Sequence, residues 1–438
     1  MKNFLRQIFS FQSGAAHVHA VVLVHPTPSD IPLIKAILSH GLRPVAIVTS
    51  LDDPMTATLQ KNEAHCLDVI TGNAIEEIIF QLGALHYDYS AVIPGSATSP
   101  HLSHVLAAKL GVPQTFVDSK HAHHDQIDIK WALAGKGLRI PQHTICPSII
   151  HAVRFARKFD YPVIIKPRSA APAYLTFKCT SDEEIQNAVT TIKHSSYKTE
   201  NTSSLIVAEE HLSGTEYILN IFADGQQVHL TGAWETRTTE QTQGDPLVHD
   251  LILRRDIRHP HLEILTEYAI AATKAAGIIR GAAHARITLT ATGPVLMELS
   301  VGFAHYRTSL MTQIFGNFDP YHADIEVYTR GNTRVPAVSY SQNVRITSHP
   351  AAASGIVARI EGIEKIKTLK GYVTHSLTAQ AGQIVSETTA AGSAPLTCWF
   401  AHESQEAVRL SALIAHNEFR LQLQETAAAV PTQYAARN

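Results

Sequence analysis

The chain has 438 residues, 45% hydrophobic and 17% charged, with a formal net charge of -2. That length suits roughly two to four domains with ample core, and the composition is that of an ordinary globular protein rather than a disordered one. No basic excess exists to drive binding to a phosphate backbone, which excludes nucleic acid as the expected partner.

The opening stretch MKNFLRQIFSFQSGAAH breaks its apolar run at Arg6 and Gln7 and makes a poor signal peptide. No segment reaches the roughly 20 apolar residues of a membrane helix. Cys66, Cys146, Cys179 and Cys398 lie far apart and form no CxxC pair. That pattern gives no zinc or disulfide framework and fits a reducing compartment, so a cytoplasmic location without membrane association is expected. The 26 histidines are many, but histidine content alone is no metal signal.

Residues 18–113 read as alternating strands and helices. VHAVVLVHP is a buried strand, and SDIPLIKAILSHG is a helix with Ser29 or Asp30 as N-cap and Gly41 at its end. LRPVAIVTS and YSAVIPGSA are further strands, and HLSHVLAAKLG is a helix. The alternation predicts a parallel sheet covered on both faces, a doubly wound α/β unit over residues 1–113. HPTPSD follows the first strand where a dinucleotide-binding fold would carry GxGxxG, which argues against a dehydrogenase.

Residues 114–213 form a second unit. A helix over DQIDIKWALAGKG leads to a strand entry, and SIIHAVRFARKFDYP is a helix. VIIKP and LTFKC are paired strands, and Ser181-x-x-Glu184 is a capping box opening the next helix. SLIVAEEHL is a strand running into a hinge. Residues 214–334 return to antiparallel strands, with hairpins at Asp224-Gly225 and Thr292-Gly293. Residues 335–438 read as a smaller α+β unit with a frayed Ala/Thr/Pro-rich tail.

The chemistry-bearing residues fall in a fixed order. Lys166 lies in an apolar strand, where a lysine is costly unless it meets an anion or its head reaches water. Glu209 and Glu210 end another apolar strand, and E-x-x-x-G-x-E-Y continues to Glu216. Glu298 closes the strand PVLMEL, where a carboxylate needs a cation, either a metal or the nearby Arg286. His121, His123 and His124 with Asp125 and Asp128 lack the spacing of a zinc site.

This order resembles the ATP-grasp superfamily, most closely the ligases that join an amino acid to an amine through an acyl phosphate. The resemblance covers about residues 18–425. It implies an α/β ATP-grasp fold, with two α+β subdomains clasping a nucleotide and a C-terminal α+β lid-like domain. It implies ATP and magnesium, and an amino acid or small peptide as substrate. It also admits a homodimer or a partner ligase subunit.

By the resemblance, Lys130, Lys166, Glu209, Glu210 and Glu216 bind the nucleotide. Glu209 and Glu210 stand at the adenine edge, and Glu216 at the ribose. Glu298 holds magnesium. Arg286, His305 and Arg307 orient the substrate carboxylate or acyl phosphate. The chain departs from the family at several places, one being Ser300 and Gly302, where the family has an asparagine or small residue and then an arginine after the last glutamate. His284-Ala285-Arg286 replaces H-x-E, so an arginine stands where a second metal ligand is expected. PRSAAPAYL, residues 167–175, has no glycine and includes Pro172, although backbone N–H groups of this loop normally approach phosphate. Gln126 stands where the family has a lysine, with Lys130 one helical turn on. These departures leave a second reading open, a degenerate ATP-grasp protein that binds nucleotide and acts as a scaffold or regulatory partner.

Overall fold

The computed structural model describes residues 18–27, 30–48, 68–72, 74–95, 99–122, 125–168, 175–194, 205–239, 247–255, 260–303, 308–388 and 394–424. The first strands are β1 (His19–Val24), β2 (Arg43–Val48), β3 (Asp68–Thr71) and β4 (Asp88–Pro94). They lie parallel in the order β3-β2-β1-β4. Val21 and Leu23 face the helix Ile31–Ser39, while Ala20, Val22 and Val24 face the helices Ile75–Ala84 and Pro100–Leu110. Burial on both faces is why β1 reads as an unbroken apolar run. Asp30 takes the N-cap position, but its carboxylate turns back to accept from Thr27 N at 2.6 Å and Thr27 Oγ1 at 3.0 Å.

A small antiparallel sheet follows, built from β5 (His143–Cys146), β6 (Val163–Pro167), β7 (Phe177–Cys179) and β8 (Ile206–Glu210) in the order β5-β8-β6-β7. One face packs Val163, Ile165 and Ala208 against the helices Ile149–Phe159 and Asp182–His194. Side chains alternate along a strand, so Lys166, Val207 and Glu209 belong to the opposite face. Ser181 caps its helix as the box predicts, accepting from Glu184 N at 3.2 Å. The Glu184 carboxylate reaches Thr180 N, at 2.6 Å, rather than Ser181.

The largest sheet contains β9 (Thr215–Asp224), β10 (Val228–Thr239), β11 (Leu247–Leu253), β12 (Arg280–Thr290) and β13 (Gly293–Val301). Beyond it in sequence come β14 (Asn343–His349), β15 (Gly355–Glu361), β16 (Tyr372–Leu377), β17 (Ile384–Val385), β18 (Leu396–His402) and β19 (Arg420–Gln424). The large sheet runs β13-β12-β9-β10-β11-β14-β18-β16, and β17-β15-β19 form a fourth. The expected boundary at residue 334 therefore falls within one continuous sheet. Arg345 on β14 and Asp250 on β11 lock that junction with two hydrogen bonds of 3.0 and 2.6 Å.

Both predicted hairpins form. Asp224 Oδ1 accepts from Gln226 N and Gln227 N at 2.8 and 2.6 Å, and Gly225 takes φ +94°. Helix Pro260–Ala275 covers one face of the large sheet through Leu265, Ala269 and Ala272 against Leu219, Ala285 and Ile287. The other face carries Glu216, Asn220, His284 and Arg286. Helix Thr308–Phe315 covers its middle, with Thr308 Oγ1 donating to Asn220 Oδ1 at 2.9 Å.

Candidate functional site

The chain crosses from the small sheet to the large one between Glu210 and Thr215. Gly214 is required there by close approach, since a Cβ on it would stand 2.2 Å from the Leu289 carbonyl oxygen. Just before the crossing, Glu209 is fully buried. Lys130, from the helix Gln126–Ala134, is equally buried and donates from Nζ to Glu209 Oε2 at 2.6 Å. Lys166 Nζ stands 3.1 Å from the same oxygen and keeps 23% of its side chain exposed. Among the described residues, Glu209 Oε1 has no hydrogen-bond partner.

Two ammoniums thus share one carboxylate. Burial alone would raise the Glu209 carboxyl, but Lys166 and Lys130 more than reverse that and hold it at about 2. Burial and the like charge of Lys166 pull Lys130 down to about 8, against the opposing pull of Glu209. The cluster sets two ammoniums against one carboxylate, one positive charge more than it can neutralise. Such a cluster favours an anion beside its exposed member, Lys166.

Two expected nucleotide ligands meet here. The Glu209 carboxylate, expected at an adenine edge, lies against two lysines. Lys130, also expected among the nucleotide ligands, is fully buried on Glu209. Gln126 is likewise occupied. Its amide donates to Leu299 O at 2.9 Å and accepts from Leu299 N at 3.1 Å, closing the open edge of β13.

Beyond the crossing, the charges are reversed. Arg286 stands between two carboxylates, with Nε 3.2 Å from Glu216 Oε1 and Nη1 3.7 Å from Glu298 Oε2. Arg286 and Glu298 are cross-strand partners on β12 and β13, and Glu216 reaches in from β9. Ser300 Oγ donates to Glu298 Oε1 at 3.1 Å. The ion pair that the sequence left as an alternative to metal binding is therefore formed, but loosely. Glu298 keeps 38% of its side chain exposed.

These donors set what magnesium could find. Glu298 offers hard carboxylate oxygens at an accessible position, which fits one magnesium ion. Among the described residues, position 286 presents a guanidinium, which cannot ligate a second ion. Among the described residues, no group of three or more His, Cys, Asp or Glu side chains converges as a metal site.

Several contacts here were not foreseen from sequence. Arg139 Nη1 donates to Thr290 Oγ1 at 2.7 Å, and Arg139 Nη2 lies 3.8 Å from Glu210 Oε1, tying the crossing to the β12–β13 hairpin. Glu210 is thus held at the rim. Arg168, directly after β6, pairs with Asp125 and Asp128 at 2.8 and 3.2 Å. Its position two residues after Lys166 was the available signal. His121 pairs with Asp118 at 2.7 Å. His123, His124, Pro172, His305 and Arg307 lie outside the described residues.

Residues 159–309 match the ATP-grasp domain family. Dapdiamide A synthase from Enterobacter agglomerans is 25% identical over 161 residues, a match spanning 37% of this chain and 35% of that protein. An L-amino acid ligase from Bacillus licheniformis superposes with a TM-score of 0.75 at 13% identity, over 94% of this chain and all of that one, 100%. An N5-carboxyaminoimidazole synthase from Aspergillus clavatus, solved in complex with ADP, gives 0.69 at 12% identity over 92% of this chain and 99% of that one. Among the described residues, no helix is long and apolar enough to cross a membrane.

Proposed function

We propose that this chain, which has the ATP-grasp fold and carries an ATP-grasp domain match over residues 159–309, is an ATP-dependent carboxylate–amine ligase acting on an amino acid or small peptide. The observation that carries the reading is the pair of opposed charge clusters beside one interdomain crossing. Lys130, Glu209 and Lys166 leave an excess positive charge, and Glu216, Arg286 and Glu298 an excess negative one. A nucleotide phosphate chain with one magnesium ion has the complementary charge distribution.

In this reading Lys166 receives phosphate, while Glu209 and Lys130 position it. Glu210 and Glu216 stand at the rim where base and ribose would lie. Glu298 holds one magnesium ion, which when bound neutralises charge on the phosphate oxygens. Arg286 supplies a fixed cation near the transferred phosphoryl group, and preorganised charge of this kind lowers the barrier to phosphoryl transfer. The substrate carboxylate takes the γ-phosphoryl group of ATP and releases ADP. The amine then displaces phosphate from the acyl phosphate and forms the amide. His305 and Arg307 remain proposed partners of the substrate carboxylate, on sequence grounds alone.

What supports this substrate class is that one neighbour is named an L-amino acid ligase and one relative a dapdiamide A synthase. The test is phosphate release from ATP and magnesium across a panel of amino acids, taken singly and in pairs. Release that needs both a carboxylate and an amine partner is the expected result. Arg286 in place of a metal ligand favours the second reading, a nucleotide-binding scaffold. Binding of ADP without release for any amino acid pair would select it. A location in the cytoplasm and a homodimer or partner ligase subunit fit either reading.

A further inference from the structure

The residue after β6 makes a contact that the ligase reading leaves unused. Arg168 N donates to Leu205 O at 3.0 Å, so the antiparallel ladder extends one residue past the strand. Alternation along that ladder puts Arg168 on the same face as Lys166 and Glu209. Its guanidinium reaches Asp125 Oδ2 through Nε at 2.8 Å and Asp128 Oδ1 through Nη2 at 3.2 Å. It also lies 5.7 Å from the ring centre of Trp131. Asp125, Asp128 and Trp131 follow one another at a spacing of three residues, along one side of the helix that also delivers Lys130.

These pairs are partly exposed, the Arg168 side chain by 27% and the two carboxylates by 27% and 28%. Partial exposure lets water weaken these pairs and gives another anion access to the guanidinium. The stretch from Arg168 to Thr176 contains no glycine. At the entry of that stretch stands a guanidinium, a fixed positive charge. A guanidinium binds phosphate oxygens in a two-pronged geometry that a lysine cannot match.

We propose that Arg168 is a phosphate-binding residue of the nucleotide site, held by Asp125 and Asp128 until the phosphate chain of the nucleotide takes it over. The assignment rests on the ATP reading given above. It makes the two aspartates internal competitors of the nucleotide. Removing the arginine and removing its competitors must then act in opposite directions, which no purely structural brace would do.

The test is calorimetric binding of ATP and of adenosine to the full chain and three variants. Arg168→Ala is expected to weaken ATP binding by about tenfold or more, and Arg168→Lys to recover part of it. Adenosine, which has no phosphate, is expected to bind all forms within about twofold. The double variant Asp125→Asn, Asp128→Asn keeps a helix-capping acceptor while removing both charges, and is expected to bind ATP severalfold more tightly. Unchanged ATP affinity in Arg168→Ala, or weaker ATP binding in the double variant, would overturn the assignment while the nucleotide reading stands. A wild-type chain that binds neither ATP nor adenosine would overturn both.

Discussion

The two charge clusters flanking the crossing are built to opposite recipes. At the end of β8, two lysines share one glutamate, and the glutamate is sealed in. At the edge of the large sheet, two glutamates share one arginine, and Glu298 is open to solvent. The difference teaches how each cluster divides its work. The buried one is mainly architectural, with only Lys166 facing outward. The open one contributes less to the fold and more to what binds there.

The largest expected effect tests this division directly. Glu209→Gln leaves the buried Lys130 ammonium, with Lys166 beside it, against a neutral amide, and breaking a buried ion pair from one side costs about 3–5 kcal/mol. Glu216→Gln leaves Arg286 with Glu298, which keeps 38% of its side chain exposed, so it should cost less than Glu209→Gln. Urea unfolding of both variants measures the contrast. Equal losses would erase the distinction between the clusters.

Next comes the metal response. Magnesium should tighten ATP binding to the wild type, and Glu298→Gln should abolish most of that gain. Arg286→Glu restores a second carboxylate and should steepen the dependence on magnesium. Titrations of ATP at fixed and varied magnesium would show this. If Glu298→Gln responds to magnesium like the wild type, the ion is held elsewhere.

The smallest effect is a pH dependence. Lys130 loses its proton through about 8, and anion binding favours the protonated cluster. ADP affinity should therefore fall as pH rises from 7 to 9, by at most about tenfold per pH unit. A Lys130→Met variant should flatten that slope. The acid limb has the other sign. The Glu209 carboxyl is lowered from its ordinary 4.5 to about 2 in the fold. Its contribution to stability is complete above the ordinary value and lost as pH falls through the lowered one. Acid unfolding of the wild type against Glu209→Gln would isolate that share.

The fold was largely legible because its signals are local. The unbroken apolar run of β1 announced a sheet covered twice, and Asp224-Gly225 announced its hairpin. The ATP-grasp resemblance rested on the order of Lys166, Glu209, Glu216 and Glu298, and the fold agrees with it. The partnerships were less legible, because they depend on which long side chains meet across separate elements. Lys130 and Glu209 come from different elements, and only their packing makes them a pair. Position 126 looked like a lost cation, yet its side chain is engaged with the backbone of β13. The continuity of the sheet past residue 334 was hidden for a similar reason. The β11–β14 pairing spans a long sequence separation that no local pattern reports.

The helix Gln126–Ala134 is fastened at one end to the large sheet through Leu299 and further along to the small sheet through Glu209. Ile129 and Leu133 also bury it in the core with Leu219 and Leu265, so the helix belongs with the large sheet. A motion that parted the two sheets would therefore load the Lys130–Glu209 bond. Hydrogen exchange along β8 becomes a gauge of that bond, and it should slow further when a nucleotide is bound.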